Sequence, residues 1–270
     1  MQKIIWMFWL QGWDSATELS KICLNSWERL NPEWKVIPLS KDNLSQYLNI
    51  DNVTDDFYSK KPISCTVDII NLNLLSIYGG IWIDSTVMCL KPLDCWLLKY
   101  MTEGFFAHKF DPLPEIDEAS GKTRLLSTWF IAANKNNYII DQWCSAYNKY
   151  WMGRERPTHY FDFHYLFFDL YNEDKRFKKI FDRVPSKNAQ DMHYLDSFKH
   201  EGLAPDLKKR VLNGEFELTK FQNVYENKTY EGEDVVKSLL LSKHQNHLNQ
   251  SVKITGLKEL QSITDKLYFN

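Results

Sequence analysis

No stretch of this 270-residue chain approaches the roughly 18 consecutive apolar residues that a membrane-spanning helix needs. Its most apolar run, IIWMFWL (Ile4–Leu10), follows a single lysine and has neither a charged leader region nor a small-residue cleavage site, so it does not read as a secretory signal. Cysteine is scarce. Cys23, Cys65, Cys89, Cys95 and Cys144 form an odd set without a Cys-x-x-Cys pair, which argues against a disulfide framework and a Cys-rich zinc site and fits a reducing cytoplasm. An excess of charge of one sign is missing too: 33 Lys and Arg against 35 Asp and Glu leave a net charge of −2, so a generally basic nucleic-acid binder is excluded. Neither internal repeats nor low-complexity tracts are present.

What the chain does have is apolar and aromatic bulk. Hydrophobic residues make up 44%, and 40 rings (10 Trp, 14 Tyr, 16 Phe) account for 15% of the sequence, enough for a sizeable core. Rings are core material first, but sugars and nucleobases also stack on them. The length suits one large domain or a domain with an appendage. Beyond about Pro205 the aromatics thin out, and the division expected is a domain over residues 1–230 followed by a helical appendage over 231–270.

Lys3–Trp9 reads as a buried strand, with Gln11-Gly12 after it. Asp14 or Ser15 is placed to cap a helix with Leu19, Ile22, Cys23, Trp27 and Leu30 at helical spacing; Asn31-Pro32 ends it and Trp34–Leu39 forms a second strand. Strand, helix, strand is the opening of a parallel α/β sheet. Short helices are expected over Ser40–Leu48 and Val53–Ser59. Thr66 is placed to cap a helix burying Val67, Ile70, Leu74 and Ile77, which Gly79-Gly80 ends. Ile81–Ile83 then runs as a strand into Asp84-Ser85-Thr86. Phe105–Phe110 and Thr128–Ala133 are further strands, Asn137–Trp151 and Phe161–Tyr171 helices, and Pro112–Thr123 a polar loop. A weak strand near Phe221–Tyr225 and helices over Glu233–Leu241 and Leu257–Leu267 complete the reading.

This order has a chemical consequence. A crossover helix starts near the carboxyl end of the strand before it, and the next parallel strand runs back to the same rim. Asp68, early in the helix, and Asp84, at the end of the following strand, then face one rim with Trp9, where open α/β sheets bind ligands. Asp84, Ser85 and Thr86 offer a carboxylate and two hydroxyls, hard oxygen ligands for a divalent cation completed by substrate phosphates. Plainer alternatives stand beside these: a polar turn closing a strand for Asp84–Thr86, a carboxylate favoured by the helix dipole for Asp68, core packing for Trp9. His164, among aromatics and two residues from Asp162, reads as a core histidine or an acceptor contact. His193 is a candidate late metal or phosphate ligand, and the His244/His247 pair reads as a solvated face. The run Lys175, Arg176, Lys178, Lys179, Arg183, Lys187 is either a solvated helix face or a contact for anionic lipid headgroups at the inner membrane.

The stretch VDIINL (Val67–Leu72) through YGGIWIDST, with KIIWMFWLQGW, NPEWKV, STWFIAANKNNYIIDQW and HYFDFHYLFFDLY, resembles the capsular-polysaccharide-synthesis glycosyltransferases, which belong to or sit beside glycosyltransferase family 32. The resemblance covers roughly residues 2–230, and YGGIWID is its most specific part. It implies a Rossmann-like GT-A fold, a mostly parallel central sheet and added C-terminal helices. It further implies retaining transfer of a hexose, galactose or glucose, from a UDP-sugar to a growing capsular, exopolysaccharide or lipopolysaccharide oligosaccharide, with Mn2+ or Mg2+ as cofactor. The acceptor would be a lipid-linked oligosaccharide or glycan, and the location cytoplasmic or peripheral at the cytoplasmic face of the membrane. Carried over by position, Trp9 stacks on the uracil, Asp68 binds ribose or donor-sugar hydroxyls, and Asp84 contacts the sugar nucleotide and the metal. Thr86 holds the third place of the DXD-like element as a weaker metal ligand than Asp. Asn71 stands where the wider family has an arginine. Gln11, Gly80, Ser85 and Tyr230, the last in a faint match to the family's Lys-Leu-Thr-Trp ending, complete the expected donor-binding set. With no obvious protein nucleophile, attack on the same face as the leaving group is expected, the diphosphate helping to deprotonate the acceptor. A non-catalytic nucleotide-sugar or glycan binder and a metal-dependent phosphoesterase are the competing classes.

Overall fold

A computed structural model describes residues 1–49, 61–193 and 215–221. These fall into two compact units whose segments alternate along the chain. One contains Met1–Trp13, Ile37–Ile83 and Lys99–Ala189; the other contains Asp14–Val36, Asp84–Leu98 and the described residues from Gln190 onward. The boundary expected between residues 230 and 231 lies outside the described residues, as do the expected elements over Val53–Ser59, Glu233–Leu241 and Leu257–Leu267.

The central sheet has five strands, β1 (Ile4–Phe8), β2 (Lys35–Leu39), β3 (Gly80–Ile83), β5 (Phe105–Lys109) and β6 (Leu126–Ala133), in the order β2-β1-β3-β6-β5. β1 and β3 are parallel, Ile5 opposite Ile81 and Trp6 opposite Trp82. β6 is antiparallel to both β3 and β5, so β1, β3 and β5 share one direction and β6 is the reversed strand. This is the α/β class expected from the sequence. β3, between β1 and β6, is buried along its length, in keeping with its short unbroken apolar run.

Helix α2 (Ile63–Tyr78) precedes β3 and is buried around most of its circumference. It begins earlier than expected. Pro62 takes the cap position, where its missing N–H and fixed φ cost nothing, so Thr66 lies inside the helix, fully buried, and Asp68 falls in the second turn. Ile77, expected in the core, is 44% exposed. Gly79 ends the helix as anticipated, with φ +70 and its N–H donating to Leu75 O at 2.9 Å. Helices α3 (Tyr138–Trp151), α4 (Asp162–Glu173) and α5 (Lys175–Arg183) continue the layer through rings. Trp143 stacks on Phe163 at 4.3 Å and meets the edge of Phe167 at 4.8 Å, while Phe167 contacts Phe177 and Phe181 edge-on. Each such pair adds about 0.5–1.5 kcal/mol beyond area burial. The rings expected in the core, Trp82, Phe130, Trp143 and Phe167 among them, are buried.

In the second unit, α1 (Glu18–Leu30) is capped by Thr17, whose Oγ1 accepts from Ser20 N at 3.1 Å, rather than by Asp14 or Ser15, which lie in a 3-10 turn. Strand β4 (Val87–Cys89) pairs antiparallel with β7 (Leu218–Lys220). Side chains of α1 satisfy β4: Trp27 Nε1 donates to Val87 O at 2.8 Å, and Ser26 Oγ accepts from Cys89 N at 2.9 Å. Asn31, at the end of α1, accepts from Leu93 N at 2.7 Å. β7 ends at Lys220; of the weak strand expected near Phe221–Tyr225, all but Phe221 lies outside the described residues. The polar loop Pro112–Thr123 makes its own small turn, with Asp117 accepting from Ser120 N at 2.7 Å and Thr123 Oγ1 donating to Pro114 O at 2.8 Å. Among the described residues no helix is long and apolar enough to cross a membrane. Four of the five cysteines are buried and Cys95 is exposed.

Candidate active site

Asp84 follows Ile83, the last residue of β3, and Trp9 follows Phe8, the last residue of β1. Because these strands are parallel, both carboxyl ends open on one rim. Asp84 starts a tight turn, closed by Val87 N donating to Asp84 O at 3.0 Å, that carries Ser85 and Thr86 into β4. Aspartate suits the first position of such a turn.

This turn is tied to β7. Val87 lies opposite Lys220, and Phe221 N donates to Thr86 O at 2.9 Å. The Lys220 ammonium donates to Thr86 Oγ1 at 2.5 Å and to Phe221 O at 3.0 Å, and lies 3.7 Å from Asp84 Oδ2. Its side chain is 12% exposed and that of Asp84 37%. Lys220 was not singled out from the sequence; the only signal was a lone cation in the segment Phe216–Phe221, where Phe216, Leu218 and Phe221 are interleaved with polar residues.

The Mn2+ or Mg2+ expected from the resemblance would need Asp84 and Thr86 as ligands. The residues present do not fit that role in this arrangement. The Thr86 hydroxyl already accepts from an ammonium, and a dication about 4 Å from that ammonium would be opposed by about 8 kcal/mol at an effective dielectric near 20. No group of three or more His, Cys, Asp or Glu side chains able to hold a metal is gathered among the described residues.

The remaining expected positions belong to the first unit. Trp9 is half-buried, which sets it apart from the core rings, and it pairs with Trp13 at 6.5 Å between ring centres; Trp13 Nε1 donates to Leu39 O at 3.0 Å. Trp13 was missed in the sequence because its neighbours carry no strand or helix pattern. Gln11 is exposed in the turn after β1. Asp68 is half-buried on α2, and its charge reaches Tyr147 and Cys65. Burial first, then Asp68, holds the Tyr147 phenol far above its usual range, and the same two causes raise the Cys65 thiol. Asn71 is 1% exposed, and its Oδ1, like Thr66 Oγ1, is buried without a hydrogen-bond partner among the described residues. Gly80 departs from the donor-binding role. It sits at the amino end of β3, away from the rim, where a Cβ would lie 2.6 Å from Ile4 O. Tyr230, with Asn227, His244 and His247, lies outside the described residues.

Asp162 and His164 separate as their spacing on α4 requires. Asp162 lines a cavity of about 430 Å3 with Tyr150, His159 and Tyr165, and its Oδ2 accepts from Tyr150 Oη at 2.5 Å and from Thr158 N and His159 N. His164 keeps a buried Nδ1 without a partner, and burial, aided by Arg124, pushes its pKa down to about 3, as for a neutral core histidine. His193 is half-buried at the end of a 3-10 turn, Gln190–His193. The basic run lies on α5 except for Lys187, which follows it; the helix buries Phe177 and Phe181, Lys178 pairs with Asp182 at 3.5 Å and Arg176 lies over the Tyr138 ring at 4.0 Å.

The chain is 28% identical over 165 residues to the glycosyltransferase afumC of Aspergillus fumigatus (strain CBS 144.89 / FGSC A1163 / CEA10), a match that covers 55% of this chain and 40% of that protein. It is 27% identical over 164 residues to the O-glycosyltransferase braB of Annulohypoxylon truncatum, covering 56% and 38%. The chain thus spans about two fifths of the length of the curated relatives it matches. Among solved structures, the PaToxG glycosyltransferase superposes with a TM-score of 0.42 at 18% identity, over 67% of this chain and 73% of that one. The family described as capsular polysaccharide synthesis protein matches residues 1–239, which include both strand ends of the rim and the Asp84 turn. By that match across most of its length, the chain belongs to the capsular polysaccharide synthesis protein family.

Proposed function

We propose that this chain is a GT-A-type glycosyltransferase that moves a hexose, galactose or glucose, from a UDP-sugar to a growing capsular, exopolysaccharide or lipopolysaccharide oligosaccharide, with retention at the anomeric carbon. The observation that supports it best is the position of the Asp84–Thr86 turn, directly after β3 where that strand ends beside the parallel β1, inside the segment that the family match covers. Asp84 accepts hydrogen bonds from donor hydroxyls and holds the Lys220 ammonium. Trp9 takes the uracil face, and Asp68 orients ribose or sugar hydroxyls, lowering the orientational cost of reaction. The bond between C1 and the diphosphate oxygen breaks with its electron pair staying on the diphosphate. The acceptor oxygen bonds to C1 on the same face, and its proton passes to the departing diphosphate.

The test is incubation of the full chain with UDP-galactose, UDP-glucose and guanosine diphosphate sugars, without acceptor. Slow release of free sugar and UDP is the expected result. Release of inorganic phosphate would indicate a phosphoesterase, and saturable binding without turnover a nucleotide-sugar-binding protein.

Asn71 offers a finer check. A buried carbonyl oxygen without a partner costs about 1–3 kcal/mol, which a ligand donor would recover. Asn71→Leu is expected to leave the thermal midpoint unchanged or higher while weakening UDP-sugar binding several-fold. Unchanged affinity in calorimetry would make Asn71 a core residue only.

The acceptor in this reading is a lipid-linked oligosaccharide at the cytoplasmic face of the inner membrane, and the exposed cations of α5 supply attraction of roughly 1 kcal/mol each near an anionic surface. Co-sedimentation with anionic vesicles at low salt, lost at high salt, is expected. Absence of binding at low salt removes membrane contact from the reading.

A further inference from the structure

We propose that Lys220 does the work of a divalent cation in this site: its ammonium, fixed at the Asp84–Thr86 turn, carries the counter-charge for the leaving diphosphate. This rests on the transferase reading above and deepens it.

Three observations carry the inference. The first is placement. The β4–β7 ladder sets Lys220 opposite Val87, and hydrogen bonds to Thr86 Oγ1 and Phe221 O hold the ammonium beside the first and third positions of the DXD-like element, between which a metal would be expected. The second is donor count. An ammonium has three N–H groups. Two are committed to those oxygens, whereas Asp84 Oδ2, at 3.7 Å, is beyond hydrogen-bond reach and leaves the third for an anionic oxygen. The third is charge. Two carboxylates and a dication sum to zero; one carboxylate, one neutral hydroxyl and one ammonium sum to zero as well. Thr86 in place of an acid and Lys220 beside it are therefore a matched pair. A threonine accepts the lysine's hydrogen bond without adding a negative charge that would then need a dication.

In the transfer step Lys220 keeps its proton throughout. It donates a hydrogen bond to the diphosphate oxygen as the bond from that oxygen to C1 breaks, while the acceptor's proton goes to the diphosphate. Because the side chain is mostly buried and already bonded, little reorganisation accompanies the appearance of charge, the condition under which fixed dipoles and charges stabilise a leaving group best.

The experiment measures UDP binding by calorimetry and UDP-sugar hydrolysis, on the full chain, with EDTA and with Mn2+. The wild-type protein is expected to bind and turn over equally within about twofold in both conditions. Lys220→Ala is expected to lose at least about tenfold in UDP affinity and about a hundredfold in turnover, with Lys220→Arg recovering part of both. The double variant Lys220→Ala/Thr86→Asp is expected to bind UDP only with Mn2+ present. Wild-type activity that EDTA abolishes and Mn2+ restores overturns the inference and leaves the transferase reading standing; so does UDP affinity untouched in Lys220→Ala. A wild-type protein that neither binds UDP nor hydrolyses any sugar nucleotide overturns both. The EDTA comparison on the wild type needs no variant to fold.

Discussion

Asp84→Ala is expected to lower UDP-sugar turnover by roughly 10²–10³-fold, because it removes the acceptor of the donor hydroxyls and the carboxylate beside the Lys220 ammonium that faces the leaving diphosphate. The side chain sits on a turn and is 37% exposed, so its loss leaves no cavity in the core. Its pairing with Lys220 at 3.7 Å is loose, and pairs of that kind contribute about 0–1 kcal/mol to stability. Loss of that pair by itself changes the thermal midpoint little, while activity collapses. Asp84→Asn separates charge from shape, since asparagine keeps the turn and its hydrogen-bonding capacity. It should bind UDP nearly as well as Asp84→Ala does, and no better, if the carboxylate's charge is what counts. Turnover within twofold of wild type in Asp84→Ala would remove this turn from the proposed site.

The second large effect concerns folding. Gly80→Ala is expected to destabilise the protein by about 3 kcal/mol, the sum of an L-residue forced to positive φ and of overpacking against a rigid neighbour. Gly80 has φ +96, and an added Cβ would lie 2.6 Å from Ile4 O and 3.2 Å from Ile4 Cβ. Ile4 cannot retreat cheaply, because it opens β1, whose next residues pair with β3 through Ile5–Ile81 and Trp6–Trp82. For a chain of this size the loss corresponds to roughly 6–12 °C in the melting midpoint followed by circular dichroism. Gly121→Ala is the control: it has φ +69 and nothing within 4 Å of the added Cβ, so it isolates the backbone cost. Equal shifts for the two variants would show that β1 and β3 part to admit the methyl group, contrary to the rigidity assumed here.

Local pattern carried a good part of the architecture. Trp27, Trp82, Phe130, Trp143 and Phe167 are all buried as their spacing demands, because a ring on the inward face of a helix or strand has no other stable place. Gly79 stops α2 because only a residue without a Cβ turns there cheaply. The passage from β3 into Asp84 was legible for the same reason: a short apolar run bounded by Gly-Gly and by Asp-Ser-Thr has one sensible reading. Helix starts were less legible. Thr66 and Asp14 are good caps in isolation, yet Pro62 and Thr17 take those positions, since a cap is chosen by where the chain enters the packed layer.

By itself, then, the sequence determined an α/β chain rich in buried rings, with a carboxylate at the end of a parallel strand and a tryptophan at the end of its neighbour. Only the tertiary structure decided that β6 runs against β1, β3 and β5, that Asn71 keeps a buried carbonyl oxygen without a hydrogen-bond partner, and that Lys220 meets Asp84 and Thr86. The physical reason is range. Helical period and glycine stops act over a few residues, whereas β7 is three residues long and finds β4 across more than a hundred residues of chain, a pairing that no local propensity encodes.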